Sequence, residues 1–116
     1  GKVFKSGSAA SNQVTRGVTD NVLKIISAAP PKYKLVIEGH TDDIPIATRE
    51  YRDNWELSAA RGHSLLRDFK RRGVVENRMS IVAYAQTRPK KATSGLTGRK
   101  LDDARAANRR VVIRIE

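Results

Sequence analysis

Two stretches of the chain set opposite charges within reach of one another. Gly39-His40-Thr41-Asp42-Asp43-Ile44-Pro45-Ile46 places two adjacent carboxylates after a short apolar run. Asn54-Trp55-Glu56-Leu57-Ser58-Ala59-Ala60-Arg61 follows eight residues later and ends on a guanidinium. Such a pair suits a ligand carrying both an ammonium and a carboxylate, because charge-assisted hydrogen bonds are the strong ones and arginine grips a carboxylate with two parallel N–H groups. That chemistry is recognition more than reaction. Neither His40 nor His63 has a spacing that suggests a nucleophile and its base. Paired carboxylates for glycoside hydrolysis need one acid in an apolar pocket, whereas Asp42 and Asp43 are neighbours in a polar loop that keeps both ionised. Two histidines without cysteine disfavour zinc, and Asp42, Asp43 and Asp53 are a thin oxygen set for Mg²⁺ or Ca²⁺. No enzymatic activity, no metal and no cofactor are therefore expected.

The elements that must hold these residues can be read from spacing. Val3-Phe4 suggests a short edge strand, and Val14, Val18, Val22, Ile25 and Ile26 mark one face of a helix that Pro30-Pro31 stops. Tyr33 to Ile37 reads as a buried strand leading into the Gly39 turn, and residues 43–53 as a polar loop. Asp53 or Asn54 can cap the next helix, whose inner face would be Leu57, Ala60, Ser64, Leu65 and Phe69. That helix places Arg61 about two turns inside its start, carries Lys70-Arg71-Arg72 near its end and stops at Gly73. Met79 to Ala83 reads as a strand, residues 86–99 as an exposed loop, Asp102 to Asn108 as a short helix and Val111-Val112-Ile113 as a last strand. The order β-α-β-α-β-(α)-β predicts an α/β (α+β) two-layer sandwich, a mixed four-stranded sheet with helices on one face.

At 116 residues the chain, 1–116, is one domain. Without cysteine it has no disulfide, which does not decide the compartment. Gly1 in place of Met leads us to expect a fragment of a longer, membrane-anchored chain. Its 23 Lys and Arg against 12 Asp and Glu, net +11, favour polyanionic partners. Nucleic acid, an anionic membrane surface and carboxylate-rich cell wall all qualify.

The motifs Gly39-His40-Thr41-Asp42, Leu57-Ser58-Ala59-Ala60-Arg61, Thr87-Arg88-Pro89 and Arg105-Ala106-Ala107-Asn108-Arg109-Arg110-Val111 together resemble the OmpA-like peptidoglycan-binding domain. The match runs over roughly residues 35–115, in the family's order. Asp43, Pro45-Ile46 and Asn54-Trp55-Glu56-Leu57-Ser58 look most like the flagellar-motor stator branch, although secretion-system anchors and other envelope proteins carry similar strings. The resemblance implies non-covalent binding of peptidoglycan through the diaminopimelate of its stem peptide. Asp42 would take the ammonium and Arg61 a carboxylate, with Asn54 and Arg109 also on the ligand and Thr41, Leu57, Ser58 and Arg105 in an outer tier. It further implies a periplasmic domain, a homodimer, and a membrane-embedded stator partner reached through a region outside this chain. The chain departs from the family at Ala85, where Gly is usual, and at Gly62, where Ala is usual.

Blander roles stand beside these. Asp42 after Gly and Thr suits an Asx-turn, Arg61 could pair internally with Asp42 or Glu56, and Asp43 reads as loop structure. His40 reads as structural, His63 as helix surface, and Trp55 as packing or a wall of the ligand pocket. Arg67, Lys70, Arg71, Arg72, Arg88, Lys90, Lys91, Arg99 and Lys100 could make a nucleic-acid surface. Six aromatics with no stacking motif disfavour that class. The purified domain is expected to release no soluble fragments from cell-wall sacculi above background in a dye-release assay; release above background would overturn the non-catalytic reading.

Overall fold

The computed structural model describes residues 13–116, with side chains from Gly17 onward, so the strand expected at Val3-Phe4 lies outside the described residues. The described elements are α1 (Gln13–Ala28), β1 (Leu35–Gly39), α2 (Asn54–Arg71), a 3₁₀ turn (Glu76–Arg78), β2 (Met79–Ala83), α3 (Gly98–Asn108) and β3 (Val111–Ile115). They form an α+β fold with a mixed sheet of three strands, ordered β2-β1-β3. The sheet of four strands expected from the sequence is thus three among the described residues. β1 runs parallel to β2 and antiparallel to β3, pairing Ile37 with Ile81 on one side and Ile113 on the other. As the central strand, β1 is buried along its whole length. The expected strand, Tyr33 to Ile37, is shifted by two residues: β1 begins at Leu35 and continues through Glu38 and Gly39, which are paired on both sides.

The turns and caps have identifiable chemistry. Asp53 caps α2 by accepting from the Glu56 backbone N–H at 3.0 Å, and the Glu56 carboxylate reaches back to the Arg52 N–H at 2.9 Å. The helix closes with Val74 N–H on the Phe69 carbonyl and Gly73 N–H on the Lys70 carbonyl, Gly73 taking φ 101°. Arg78 gathers the carbonyls of Ile26, Pro30 and Tyr33, so the end of α1 and the loop after it are held to the start of β2.

α2 lies across β1 and β2, and α1 packs against α2. The core between them is Ile26, Leu35, Ile37, Leu65, Phe69 and Val74, flanked by Met79, Val111 and Ile113. The buried face of α2 differs from the expected one. Leu57, Leu65 and Phe69 are inside as predicted, but Ser58, Arg61 and Gly62 are buried with them, while Ala60 and Ser64 are half-buried. The helix backbone comes close to β1. A methyl at Gly39 would sit 1.8 Å from the Ser58 carbonyl oxygen, and one at Gly62 would sit 2.8 Å from Ile81 Cγ2.

On the other face of the sheet Glu38 and His40 are buried beneath a polar cluster. The Glu38 carboxylate accepts from Arg114 Nε at 2.6 Å and lies 3.4 Å from His40 Nε2. The His40 ring, 2% exposed, stacks on Tyr84 at 5.3 Å, and Arg88 lies over the far ring at 4.5 Å. Burial and the nearby Arg110 push the His40 imidazolium below its usual pKa near 6.5, against the pull of Glu38.

Gly39→Ala is expected to destabilise the domain by about 3 kcal/mol or more, because the opposing atom is backbone and cannot swing aside. Gly62→Ala should stay within about 1 kcal/mol of the parent, since Ile81 can move and alanine favours helix. Urea melts of both variants check the contrast. The depressed His40 pKa means that the unfolded chain binds a proton the folded chain refuses. Stability is therefore complete above pH ~6.5 and falls as pH drops through the folded-state value. The urea midpoint should fall between pH 6.5 and 5, and His40→Gln should flatten that slope; an unchanged slope in the variant would assign it elsewhere.

Candidate functional site

The residues singled out by type and spacing meet at the C-terminal end of β1. Beyond Gly39, the His40 N–H donates to the Arg110 carbonyl and the Thr41 N–H to the Ala85 carbonyl, so the loop leaving the central strand is held from both sides. Asp42 then turns the chain. Its Oδ1 accepts from the Ile44 N–H at 3.2 Å, the Asx-turn that its sequence context suits. Its Oδ2 accepts from Arg109 Nη1 at 3.0 Å. The turn and the ion pair thus use different oxygens of one carboxylate, which is itself 5% exposed.

Arg61 has no exposed surface and donates from Nη1 to the His40 carbonyl at 2.9 Å. Burial lowers its pKa to about 10, the Asp42 charge working against that shift and the Arg109 charge adding to it. It remains protonated at neutral pH. Two guanidiniums therefore act on the one carboxylate of Asp42. Glu56, considered as an internal partner for Arg61, is engaged instead at the start of α2.

The outer residues are mostly scaffold. Ser58, fully buried, donates from Oγ to the Trp55 carbonyl and accepts from the Ala85 N–H, both at 3.1 Å. Leu57 is buried, and Thr41 donates from its hydroxyl to the Asp42 carbonyl at 2.9 Å. Asp43 accepts from Arg105 Nε at 2.8 Å and from the Thr93 hydroxyl at 3.1 Å, which holds its carboxyl below the usual range. Arg105 lies in the last turn of α3 and Arg109 just after its end, four residues on, and the two present guanidiniums to the adjacent pair Asp43 and Asp42.

Asn54, 7% exposed, donates from Nδ2 to the Ile44 carbonyl at 3.2 Å. It lines a cleft of about 350 Å³ together with Asp43, Pro45, Ile46, Asp53, Trp55 and Gln86. Trp55 is half exposed there, a wall of the cleft rather than a core residue. The three aspartates considered as cation ligands each have a protein partner: Arg109 for Asp42, Arg105 for Asp43 and the start of α2 for Asp53.

Sequence reasoning missed the role of Asn108, and it left open what Ala85 does to the loop after β2. Asn108, 2% exposed, accepts from the Lys91 N–H at 2.8 Å and donates to the Lys91 carbonyl at 2.9 Å. The Arg110 guanidinium donates to the Arg88 carbonyl at 2.9 Å, so the long basic loop is clipped to the end of α3. An asparagine between the last helix and the last strand was the available signal. Ala85 takes φ 53° with no exposed surface, the left-handed conformation that glycine adopts freely. The loop keeps the shape that glycine would allow, at a cost of about 1 kcal/mol or more.

Known proteins share this arrangement of strands and helices. Motility protein B of Escherichia coli K12 is 32% identical over 94% of this chain, which corresponds to 33% of that protein. YtxE of Bacillus subtilis, itself uncharacterised, is 38% identical over 69% of the chain and 31% of its own length. The chain thus spans about a third of these relatives. The C-terminal domain of Helicobacter pylori MotB superposes with a TM-score of 0.83 at 26% identity, covering 97% of this chain and 81% of that one. The cell wall anchor of the T6SS from Pseudomonas aeruginosa superposes with a TM-score of 0.75 at 26% identity, over 97% and 73% of the two chains. The OmpA family matches residues 3–103, which include β1, α2, β2 and the carboxylates at the end of the central strand, and the chain belongs to that family.

Proposed function

We propose that the domain binds peptidoglycan without covalent attachment, through the diaminopimelate of the stem peptide, and so ties an envelope complex to the cell wall. The observation that carries this reading is the cluster of buried Asp42 and Arg61 with half-buried Arg109 at the end of β1. It offers an acceptor for an ammonium beside two donors for a carboxylate. In this reading Asp42 takes the ammonium, and the Arg61 charge beneath the end of β1 attracts the carboxylate once the loop above it gives way. Arg109 helps hold the ligand, and Asn54 hydrogen-bonds it where the cleft begins. Thr41, Leu57, Ser58 and Arg105 position these groups. Binding, not bond breaking, is the chemistry on offer.

The likeness to motility protein B over nearly the whole chain supports a stator setting. There the domain would be periplasmic, part of a homodimer, and joined by a segment outside this chain to a membrane-embedded partner that works against the fixed wall. The T6SS cell wall anchor of similar fold supports a second setting, with the same binding chemistry in a secretion complex.

Calorimetric titration with a diaminopimelate muropeptide tests the binding reading, with a short DNA duplex as control. Binding to the muropeptide is expected, weakened by about tenfold to a hundredfold in Asp42→Asn and Arg61→Gln, the loss of one charge-assisted hydrogen bond each. Circular dichroism on each variant separates lost binding from lost folding. Salt-sensitive binding of DNA alone, untouched by Asp42→Asn, would transfer the domain to the nucleic-acid class.

A further inference from the structure

We propose that a groove between α3 and the basic loop before it docks an acidic amphipathic helix of a partner protein, with apolar residues between two carboxylates about two turns apart. The inference goes beyond wall binding, since the groove shares no lining residue with the cleft at Asn54. One wall is a face of α3, where Lys100, Asp103, Ala104 and Ala107 stand at i, i+3, i+4 and i+7. The other wall is the loop, through Lys91, Ala92 and Leu96, and the space between them measures about 470 Å³. Ligand clefts ordinarily fall in that size range.

The face is open because of how α3 is attached. Close packing of elements among the described residues joins α1, α2 and the three strands, and α3 is tied instead by polar contacts. Arg105 holds Asp43, and the Asn108 side chain clasps the Lys91 N–H and carbonyl at 2.8 and 2.9 Å. Ala104 is buried on the groove floor, Leu96 and Ala107 are half-buried and Ala92 is exposed. The clasp at Asn108 also fixes where the charges fall. It puts Lys91 at the C-terminal end of α3, while Lys100 lies in the first turn, eight residues before Asn108 and so about 12 Å along the helix. Both lysines are exposed. An apolar floor thus runs between two cations.

That arrangement selects among occupants. A ligand with one anionic head meets one lysine and leaves the other. A helix with carboxylates seven positions apart spans about 10 Å, and the flexible lysine stems reach the rest. Its apolar residues at i+3 and i+4 fall between the charges and over the alanines, whose small side chains let another helix come close. The carboxylate near Lys100 also meets the positive end of α3, whose first turn holds Arg99 and Lys100 and no acid. An added strand fits less well, because the Lys91 backbone is taken by Asn108 and the Leu96 N–H by the Thr93 carbonyl. A second copy of this chain fits no better. Its helical acids are Asp20 in α1, Glu56 and Asp68 in α2, and Asp102 and Asp103 in α3, and no two in one helix are seven or eight apart.

The test uses a designed probe, an alanine- and glutamine-based peptide of about four turns, held helical by a side-chain lactam on its outer face. It carries glutamate at its fourth and eleventh positions and leucine at its seventh and eighth. Amide ¹H–¹⁵N shifts of the labelled domain should move at Lys91, Ala92, Leu96 and along α3 as the probe is added. Replacing both glutamates by glutamine should weaken binding about fivefold or more, and so should Lys91→Glu or Lys100→Glu in the domain. In Lys100→Glu, a probe with lysine in place of one of its two glutamates should bind again, a rescue that a merely misfolded variant would not show. Equal binding of the glutamine probe, absence of rescue, or shifts spread over the basic surface and missing from the groove would each overturn the proposal. Phosphatidylglycerol vesicles that move the groove amides where the helical probe does not would assign the groove to lipid and overturn it as well.

Discussion

The site depends on keeping a guanidinium ionised where no water reaches it. Removing an ion of that size from water costs several kcal/mol even after the protein relaxes. The fold offsets this with the His40 carbonyl at the end of the central strand and with the Asp42 charge nearby. Both come from the same loop, so the loop cannot shift without leaving a buried charge less well compensated. The close approach of α2 to β1, for which Gly39 has no side chain to spare, brings Arg61 to that carbonyl. Close backbone packing and the charge it shelters are therefore one feature seen from two sides.

Around that centre the remaining ties run inward from the loops. Asp42 and Asp43 each engage an arginine at or near the end of α3, Ser58 holds the Ala85 backbone, and Asn108 and Arg110 hold the basic loop at Lys91 and Arg88. Most of these bonds join residues far apart in sequence. They fix the loops after β1 and β2 to each other and to the elements that follow. The cations of the basic loop are in this way held on an ordered frame.

Much of this was legible beforehand, and the failures have a common cause. The apolar run at Leu35, the breakers at Pro30 and Gly73 and the cap at Asp53 located β1, the end of α1 and α2, because each acts through neighbours in sequence. The inner face of α2 was misplaced because a hydrophobic period counts Ala60 and passes over Ser58, Arg61 and Gly62, which are buried for their hydrogen bonds or their lack of bulk. The Asp42–Arg109 pair joins residues 67 apart, and nothing local announces it. The left-handed turn at Ala85 was legible only through the family resemblance, which puts glycine there; here alanine bears the strain and the turn is kept. The strand expected at Val3-Phe4 falls outside the described residues, so the three-stranded sheet speaks only for the rest.

The order β2-β1-β3 has a mechanical consequence. The candidate site hangs from the end of the middle strand, which is paired over five residues on each side. A pull on the Asp42 loop, directed along β1, runs across the inter-strand hydrogen bonds, which are perpendicular to the strands in the antiparallel ladder with β3 and slanted in the parallel ladder with β2. Both ladders are then sheared together, and many bonds must stretch at once before any one yields. An edge strand pulled the same way would have only one ladder to resist the load.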